Sequence, residues 1–361
     1  LGSSGTDAAY GLRLDYNNNV YVTGAASSGF PTTSGSAITN HIGGSLDGFI
    51  AKLSPQGNNL LVSTFFGSTG KDESFFIDID LLDDVYIYGQ NADPISITPG
   101  CYGVLNSTQF IAKFNPDLTN IEWQTTIGSC STSGFDFVPT AFMVDVCKHI
   151  YISGHGGLSS IPAMYTTPNA LHTSGGFYLM ALDPAATAVN FATYYTNNHV
   201  DGGTSRFDPS GTIYQAVCSG GGFASTTNAY APNQATGWDI GVFKIDFDLI
   251  NIADAIAIPG VSGCAPFTVD FINSSTATHF LWDFDDNGQV STDFSPTYTF
   301  NNTGIYNVML IAIDSGTCNV ADTLMIQIDV PASNATSADF ASLIGTKITR
   351  SYAGFSPFHP S

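Results

Sequence analysis

Short runs in which apolar residues alternate with small or polar ones, each closed by a cluster of turn formers, fill the first two thirds of the chain. Leu12-Arg13-Leu14-Asp15, the polar turn Tyr16-Asn17-Asn18-Asn19 and Val20-Tyr21-Val22 open the series. Alternation with a period of two, bounded by Asn, Asp, Gly and Ser, predicts strands joined by tight turns. The same phrase then returns. Ile77-Asp78-Ile79-Asp80 precedes Val85-Tyr86-Ile87, Phe142-Met143-Val144-Asp145 precedes Ile150-Tyr151-Ile152, and a looser Ser205-Arg206-Phe207-Asp208 precedes Ile213-Tyr214-Gln215. The period is about 65 residues, and a fixed spacing of this length marks a repeat array.

Four strands are expected per repeat, in the first at 10–15, 20–24, 48–54 and 60–67. The third recurs as Phe49-Ile50-Ala51-Lys52-Leu53, Phe110-Ile111-Ala112-Lys113-Phe114, Tyr178-Leu179-Met180-Ala181-Leu182 and Gly241-Val242-Phe243-Lys244-Ile245. Four antiparallel strands at this spacing make a β-propeller blade. The expected fold is therefore all-β, a partial propeller of four four-stranded blades in an arc over residues 1–259, followed by an immunoglobulin-like sandwich. The periodic tyrosines read as packing between blades. Residues 252–258 read as the outer strand of the fourth blade. Leu1-Gly2-Ser3-Ser4-Gly5-Thr6-Asp7 matches Phe66-Gly67-Ser68-Thr69-Gly70-Lys71-Asp72, so Leu1-Gly2 reads as the stub of an upstream blade.

The period stops near Gly260. Cys264-Ala265-Pro266-Phe267-Thr268-Val269-Asp270-Phe271, Trp282-Asp283-Phe284-Asp285-Asp286, Ser295-Pro296-Thr297-Tyr298-Thr299-Phe300 and Gly304-Ile305-Tyr306-Asn307-Val308 suit a small sandwich over 260–331. This spacing resembles the PKD (polycystic kidney disease-type) domain, with Asp285 where that family has Gly and Phe300 where it usually has Tyr. Residues 332–361 fit neither unit and read as a linker or the start of another domain. The Asp-to-Tyr phrase, the loop Phe30-Pro31-Thr32-Thr33 and the strand Ile50-Ala51-Lys52-Leu53 resemble the SBBP-type propeller repeat of large exported bacterial proteins. That resemblance covers about residues 1–259 and implies a fold and an exported context, with no catalytic residues.

Composition sharpens the picture. Of the 30 acidic residues only Glu73 and Glu122 are Glu; Asp favours turns where Glu favours helices. The formal charge is −21 with nine Lys and Arg in all, which leaves no basic stripe for nucleic acid and disfavours an anionic membrane surface. No apolar run approaches the ~18 residues of a membrane span, so no direct membrane insertion is expected.

Candidate chemistry is sparse. There is no Gly-x-Ser-x-Gly and no His-Glu-x-x-His, and the seven His residues have no ligand spacing. No catalytic or cofactor-binding residue is expected. The oxygen-rich Asp283-x-Asp285-Asp286-Asn287-Gly288 segment is a calcium candidate, with Asp283, Asp285 and Asn287 as ligands, but it lacks a bidentate Glu and reads first as an Asp/Asn-Gly turn. Asp15-x-Asn17-x-Asn19 is a second such segment, whose oxygens do not recur at Asp80 and Asp145; it too reads as a turn. No Cys-x-x-Cys pair occurs, so the six cysteines read as oxidised or buried thiols of an exported protein. Cys264 with Cys318 and Cys101 with Cys130 are the expected disulfides, leaving Cys147 on the opposite face and out of reach. The long loops after the second strands, around Phe30, Thr32 and Thr33 and around Tyr165, Thr166 and Thr167, are the expected ligand face, since binding residues concentrate on loops held by a rigid scaffold.

SBBP-like blades followed by a PKD-like domain resemble modular surface proteins of gliding, predatory or polymer-degrading bacteria, many of them exported by the type IX system. The resemblance implies a non-catalytic structural or adhesive module, extracellular and on the bacterial cell surface. Its expected partner is a glycan, a protein or a neighbouring copy. Two alternatives stand beside it: an accessory region of a secreted polysaccharide-active enzyme, and a glycan or protein receptor using the long-loop face.

Overall fold

The computed structural model describes residues 1–129, 135–156, 163–195, 200–207, 212–219, 223, 225–231, 237, 239–247, 249–315, 317, 319–332 and 349–351. Among them there is no helix. The chain divides into two compact units, Leu1–Phe247 and Asp248–Ser361.

In the first unit, strands β1 (Asp7–Leu14), β2 (Val20–Ala26), β3 (Asp47–Leu53) and β4 (Leu60–Phe66) form an antiparallel sheet in sequence order. The second sheet repeats it with β5 (Asp72–Ile79), β6 (Val85–Asn91), β7 (Gln109–Phe114) and β8 (Ile121–Ile127). The third consists of β9 (Val138–Val144), β10 (Ile150–His155), β11 (Phe177–Leu182) and β12 (Val189–Tyr195). These three sheets match the expected four-stranded pattern. The fourth contains three strands among the described residues, β13 (Val200–Phe207), β14 (Ile213–Ser219) and β15 (Asp239–Ile245).

The expected outer strand of that fourth sheet belongs elsewhere. β16 (Ala255–Ile258) pairs with β17 (Phe267–Asn273), with Ala255 opposite Asn273 and Ile258 opposite Asp270. Short apolar strands carry little pairing information of their own. Ala253 and Ala255 are buried in the core of the second unit, and that burial decides their partner.

Consecutive sheets pack face to face through the positions the period singled out. Tyr21, Ile50 and Phe66 of the first sheet share a core with Ile77, Val85, Ile87 and Phe110 of the second. Tyr86, Tyr88 and Ile111 do the same with Phe142, Ile150 and Ile152 of the third. Polar links cross the same boundaries. Arg13 Nε donates to Asp78 Oδ1 at 3.0 Å, and the Val144 amide donates to Asp78 Oδ2 at 2.8 Å, so one carboxylate joins three successive inner strands. Burial pushes the Asp78 carboxyl up, and the Arg13 charge opposes it.

Each of the first three inner hairpins also carries a glycine at a close backbone approach. A Cβ on Gly24 would sit 1.9 Å from the Ala8 carbonyl oxygen, one on Gly89 2.1 Å from that of Glu73, and one on Gly154 2.0 Å from the Phe137 ring. The ladder register shifts beside these contacts; a bulge leaves no room for a side chain.

The second unit is a two-sheet sandwich. One sheet is β16, β17 and β20 (Thr297–Phe300). The other runs β19 (Val290–Ser291), β18 (His279–Asp283), β21 (Gly304–Ile313), β22 (Ala321–Val330) and β23 (Thr349–Ser351). Alternating residues of both sheets, including Val269, Phe271, Trp282, Phe300, Val308, Leu310, Ile326 and Ile328, fill the space between them. The tail read as unassigned adds an edge strand here, Thr349 pairing with Met325.

Candidate functional site

The recurrent acid of the repeat is a hairpin cap. In the first sheet Asp15 Oδ1 accepts the Asn17 and Asn19 amides, at 2.9 and 2.8 Å, and Oδ2 accepts the Asn19 side chain and pairs with Lys52 at 3.2 Å. In the second, Asp80 Oδ1 accepts the Leu82 and Asp84 amides while Oδ2 accepts the Tyr86 hydroxyl at 3.0 Å and pairs with Lys148 at 2.9 Å. In the third, Asp145 Oδ1 accepts the Cys147 and His149 amides and Oδ2 accepts the Tyr151 hydroxyl at 2.8 Å. The geometry is that of an Asx turn, which explains why Asp recurs and Glu does not: the shorter side chain reaches its own turn amides. The Asp15-x-Asn17-x-Asn19 segment is accordingly a turn.

A second recurrent acid escaped the sequence reading. Asp7, Asp72 and Asp136 each accept the amide of a serine at the end of the preceding outer-strand phrase, Ser3, Ser68 and Ser129 respectively, and each also accepts that serine's hydroxyl. The signal was present as Gly-Ser followed within a few residues by Asp.

The most perturbed of these is Asp72, whose carboxyl burial pushes up to about 7; the Ser68 bonds oppose that shift, and the nearby charges of Asp47 and Asp93 add to it. Asp47 is pushed up by its own burial, opposed by the Ile42 amide and His41. A carboxyl protonated in the fold and ionised in the unfolded chain stabilises the fold below its unfolded pKa, and the contribution is lost as pH rises through the folded value. Thermal melts should therefore show the first unit less stable at about pH 8 than at about pH 5, and Asp72→Asn should flatten that slope. Equal slopes in both proteins would remove Asp72 as the cause.

Two residues of the expected ligand face, Thr33 and Thr167, cover strand edges. The Thr33 amide donates to the Ser63 carbonyl at 3.1 Å, and the Ser63 amide donates to Thr33 Oγ1 at 3.1 Å. Thr98 makes the same pair with Gln124, and Thr167 with Ala192. In each of these sheets one threonine ties the long loop onto the outer strand, which otherwise presents unpaired amides and carbonyls. Phe30 is buried against Phe49 and Phe65, with centroids at 4.3 and 6.1 Å. Thr32 donates its hydroxyl to the Thr39 carbonyl at 2.7 Å. Tyr165 is half-exposed and lies 5.8 Å from the Tyr102 ring, and Thr166 is partly exposed. Thr33 does line a groove of about 470 Å³, together with Asn19, Ser36, Lys52, Asp117 and Thr119.

The cysteines differ from expectation. Cys101 and Cys264 are free thiols, so neither the Cys101–Cys130 nor the Cys264–Cys318 bridge is present; Cys130 and Cys318 themselves lie outside the described residues. Cys101 Sγ faces the Ala185 carbonyl at 3.7 Å, in a turn of the third sheet, and burial pushes the thiol up. Cys218 is free as well. Cys147, expected to reach neither Cys101 nor Cys130, is disulfide-bonded. This disposes of one metal-like cluster. Asp145, Cys147 and His149 bring ligand atoms within 4.8 Å of one another, but a sulfur held in a disulfide offers no thiolate.

In the second unit the calcium candidate disperses. Asp283 Oδ1 accepts the Asp285 amide at 3.0 Å, Asp285 Oδ2 accepts the Asn307 amide at 2.9 Å, and Asp286 Oδ2 accepts the Tyr298 hydroxyl at 2.9 Å. Asp285, Asn287 and Gly288 hold positive φ of 54, 52 and 75°, as a tight turn of Asp, Asn and Gly requires. The carboxylates cap this turn and tie it to β21 and β20, and they do not converge on one point. The donor set does not fit a calcium site.

Residues 252–328 match the PKD domain family. No curated protein matches the chain. Among solved structures, the PKD1 domain of the Vibrio cholerae metalloprotease PrtV is 28% identical, covering 22% of this chain and 95% of that one with a TM-score of 0.19. The PKD1 domain of Vibrio anguillarum Epp is 24% identical, covering 22% and 95% with a TM-score of 0.18. A PL25 ulvan lyase bound to a sulfated disaccharide repeat is 10% identical over 92% of this chain and 81% of that one, with a TM-score of 0.32. The class is thus set for one part of the chain: an all-β protein whose C-terminal unit carries a PKD domain.

Proposed function

We propose that this chain is a non-catalytic structural or adhesive module of a secreted bacterial cell-surface protein. The observation that supports it most directly is the fate of the chemistry-bearing side chains. The recurrent acids, the loop threonines and the tyrosines, which alone recur often enough to suggest a site, are engaged in hairpin caps, edge clamps and cores. The PKD domain at 252–328 supports an extracellular setting. The SBBP-like phrase of the repeats supports a propeller-type array exported as part of a larger protein, with type IX secretion as its route. The partner in this reading is a glycan, a protein or a further copy of the chain.

The test is a turnover screen of the full chain on polysaccharides and peptides, run beside antibody labelling of intact cells. Labelling without turnover is the expected result. Turnover abolished by replacing a pair of aspartates in the first unit would sink the scaffold reading. A receptor reading has one observation in its favour, the polar groove lined by Lys52, Asp117 and Thr119. A glycan array with the wild-type chain and Asp117→Ala separates it: signal confined to the wild type would move the function to that groove.

A further inference from the structure

The repeat lets one position be compared across three sheets. Lys52, Lys113 and Ala181 occupy it on the third strands, opposite Val62, Trp123 and Phe191 of the outer strands. Each outer strand carries an extra residue just before that partner, Leu61, Glu122 and Asn190, where the ladder register shifts. Such a bulge re-aims a side chain. In the second sheet the extra residue is an acid that answers the lysine. Glu122 Oε2 lies 2.7 Å from Lys113 Nζ, which also pairs with Asp84 at 2.7 Å. The Trp123 side chain beside it is buried, its ring 6.1 Å from that of Tyr86. In the third sheet both charges are absent, as Ala181 and Asn190. The first sheet keeps the lysine and lacks the acid: Leu61 stands in place of Glu122, and Val62 in place of Trp123.

That exchange leaves open the groove of about 470 Å³, whose wall includes Lys52, Leu61 and Val62. Lys52 Nζ pairs with Asp15 at 3.2 Å and lies 4.8 Å from the centre of the Tyr21 ring. An ammonium carries several donors, so Lys52 can take a second carboxylate as Lys113 does. The opposite wall suits hydroxyl groups: Ser34, Asp117 and Thr119 line it and are exposed. Gly35, where even a Cβ would meet no atom within 4 Å, leaves the rim open.

We propose that this groove binds a sugar residue bearing a carboxylate, a hexuronate, with the carboxylate on Lys52 as Glu122 sits on Lys113 in the second sheet. The sugar hydroxyls donate to the Asp117 carboxylate and exchange hydrogen bonds with Ser34 and Thr119, and the C–H face of the ring lies on Leu61 and Val62. A carboxylate on an ammonium makes a charge-assisted bond, about twice as strong as a neutral one. The charge therefore sets the preference, and the hydroxyl-rich wall sets the class. The chain's own charge of −21 repels a polyanion, so the ligand is an isolated uronate in an otherwise neutral glycan. The inference rests on the receptor reading of this groove and names its ligand class.

The experiment is a ligand-observed NMR titration of the full 361-residue chain with methyl glucuronide, methyl glucoside and N-acetylglutamate amide. The glucuronide should bind at least about tenfold more tightly than either of the others, and its advantage over the glucoside should shrink at high salt. Lys52→Met should abolish that advantage. Leu61→Glu with Val62→Trp installs the second sheet's own residues, so it should fill the groove, pair with Lys52 and remove glucuronide binding without lowering the melting temperature. This variant also serves if Lys52→Met, which takes a partner from the Asp15 cap, does not fold. Equal binding of glucuronide and glucoside, both lost in the filled variant, would overturn the carboxylate assignment and leave the receptor reading standing. N-acetylglutamate amide binding as tightly as the glucuronide would overturn the sugar assignment. Glucuronide binding undiminished in the filled variant would place the site elsewhere and overturn the proposal. No binding by any of the three would overturn it as well, while the glycan array decides the receptor reading separately.

Discussion

Trp282→Ala is expected to cost the second unit about 3–5 kcal/mol, the range for emptying an aromatic site in a packed core. The side chain is fully buried between the two sheets of the sandwich, with the Phe271 ring 5.2 Å away. Its indole nitrogen donates to the Asp293 carbonyl at 3.1 Å, so truncation removes both packing and a bond to the loop before β20. Domains of this size have total stabilities of roughly 5–15 kcal/mol, and each kcal/mol moves the midpoint by about 4–8 °C. The calorimetric transition of the second unit should therefore fall by roughly 15–30 °C or disappear. Trp282→Phe keeps a ring in the site and should recover more than half of the loss. Ile305→Ala, at an exposed position of the same sandwich, should stay within about 0.5 kcal/mol of wild type. A small effect at Trp282 would mean that the sandwich core lies elsewhere.

Asp80→Ala should destabilise the first unit by about 3–5 kcal/mol, as removal of one member of a buried charged network does. One carboxylate serves two turn amides, the Tyr86 hydroxyl and the Lys148 ammonium, which comes from the turn of the following sheet. Alanine leaves the buried phenol and the amides without their acceptor, and stranded donors carry the larger share of the cost. Lys148→Met removes the charge but keeps the aliphatic stem. Because that lysine is partly solvated, the substitution should cost no more than about 1 kcal/mol. A double-mutant cycle measured by urea unfolding would give the coupling between the two turns. If Asp80→Ala costs no more than Lys148→Met, the cap is not what holds the hairpin.

Much of this architecture was legible because it rests on short-range rules. The alternation around Tyr21, Tyr86 and Tyr151 places strands to within a few residues, and the recurrent Asp marks the turns. The Trp282 and Gly304-Ile305-Tyr306 phrases locate the sandwich. The roles of individual side chains were less legible. Thr33 and Thr167 carry the composition of a ligand-binding loop, and no local signal states that their amides and hydroxyls pair with Ser63 and Ala192, more than twenty residues away. Asp7, Asp72 and Asp136 were visible as letters of a repeated junction, yet their capping role appears only when the serine amides fold back on them.

By itself, then, the sequence determined the all-β class, the repeat and its period, and the position of the PKD domain, since alternation and turn chemistry act within a few residues. Tertiary structure alone decided which strands meet. β16 looks like a fourth-blade strand and pairs with β17, because Ala253 and Ala255 bury in the sandwich core. Cys101 faces the Ala185 turn, because sheet-to-sheet packing brings that turn against it. Such choices turn on burial between distant segments, and the free energy of burying a short apolar strand is nearly the same against either neighbour until the whole core is assembled.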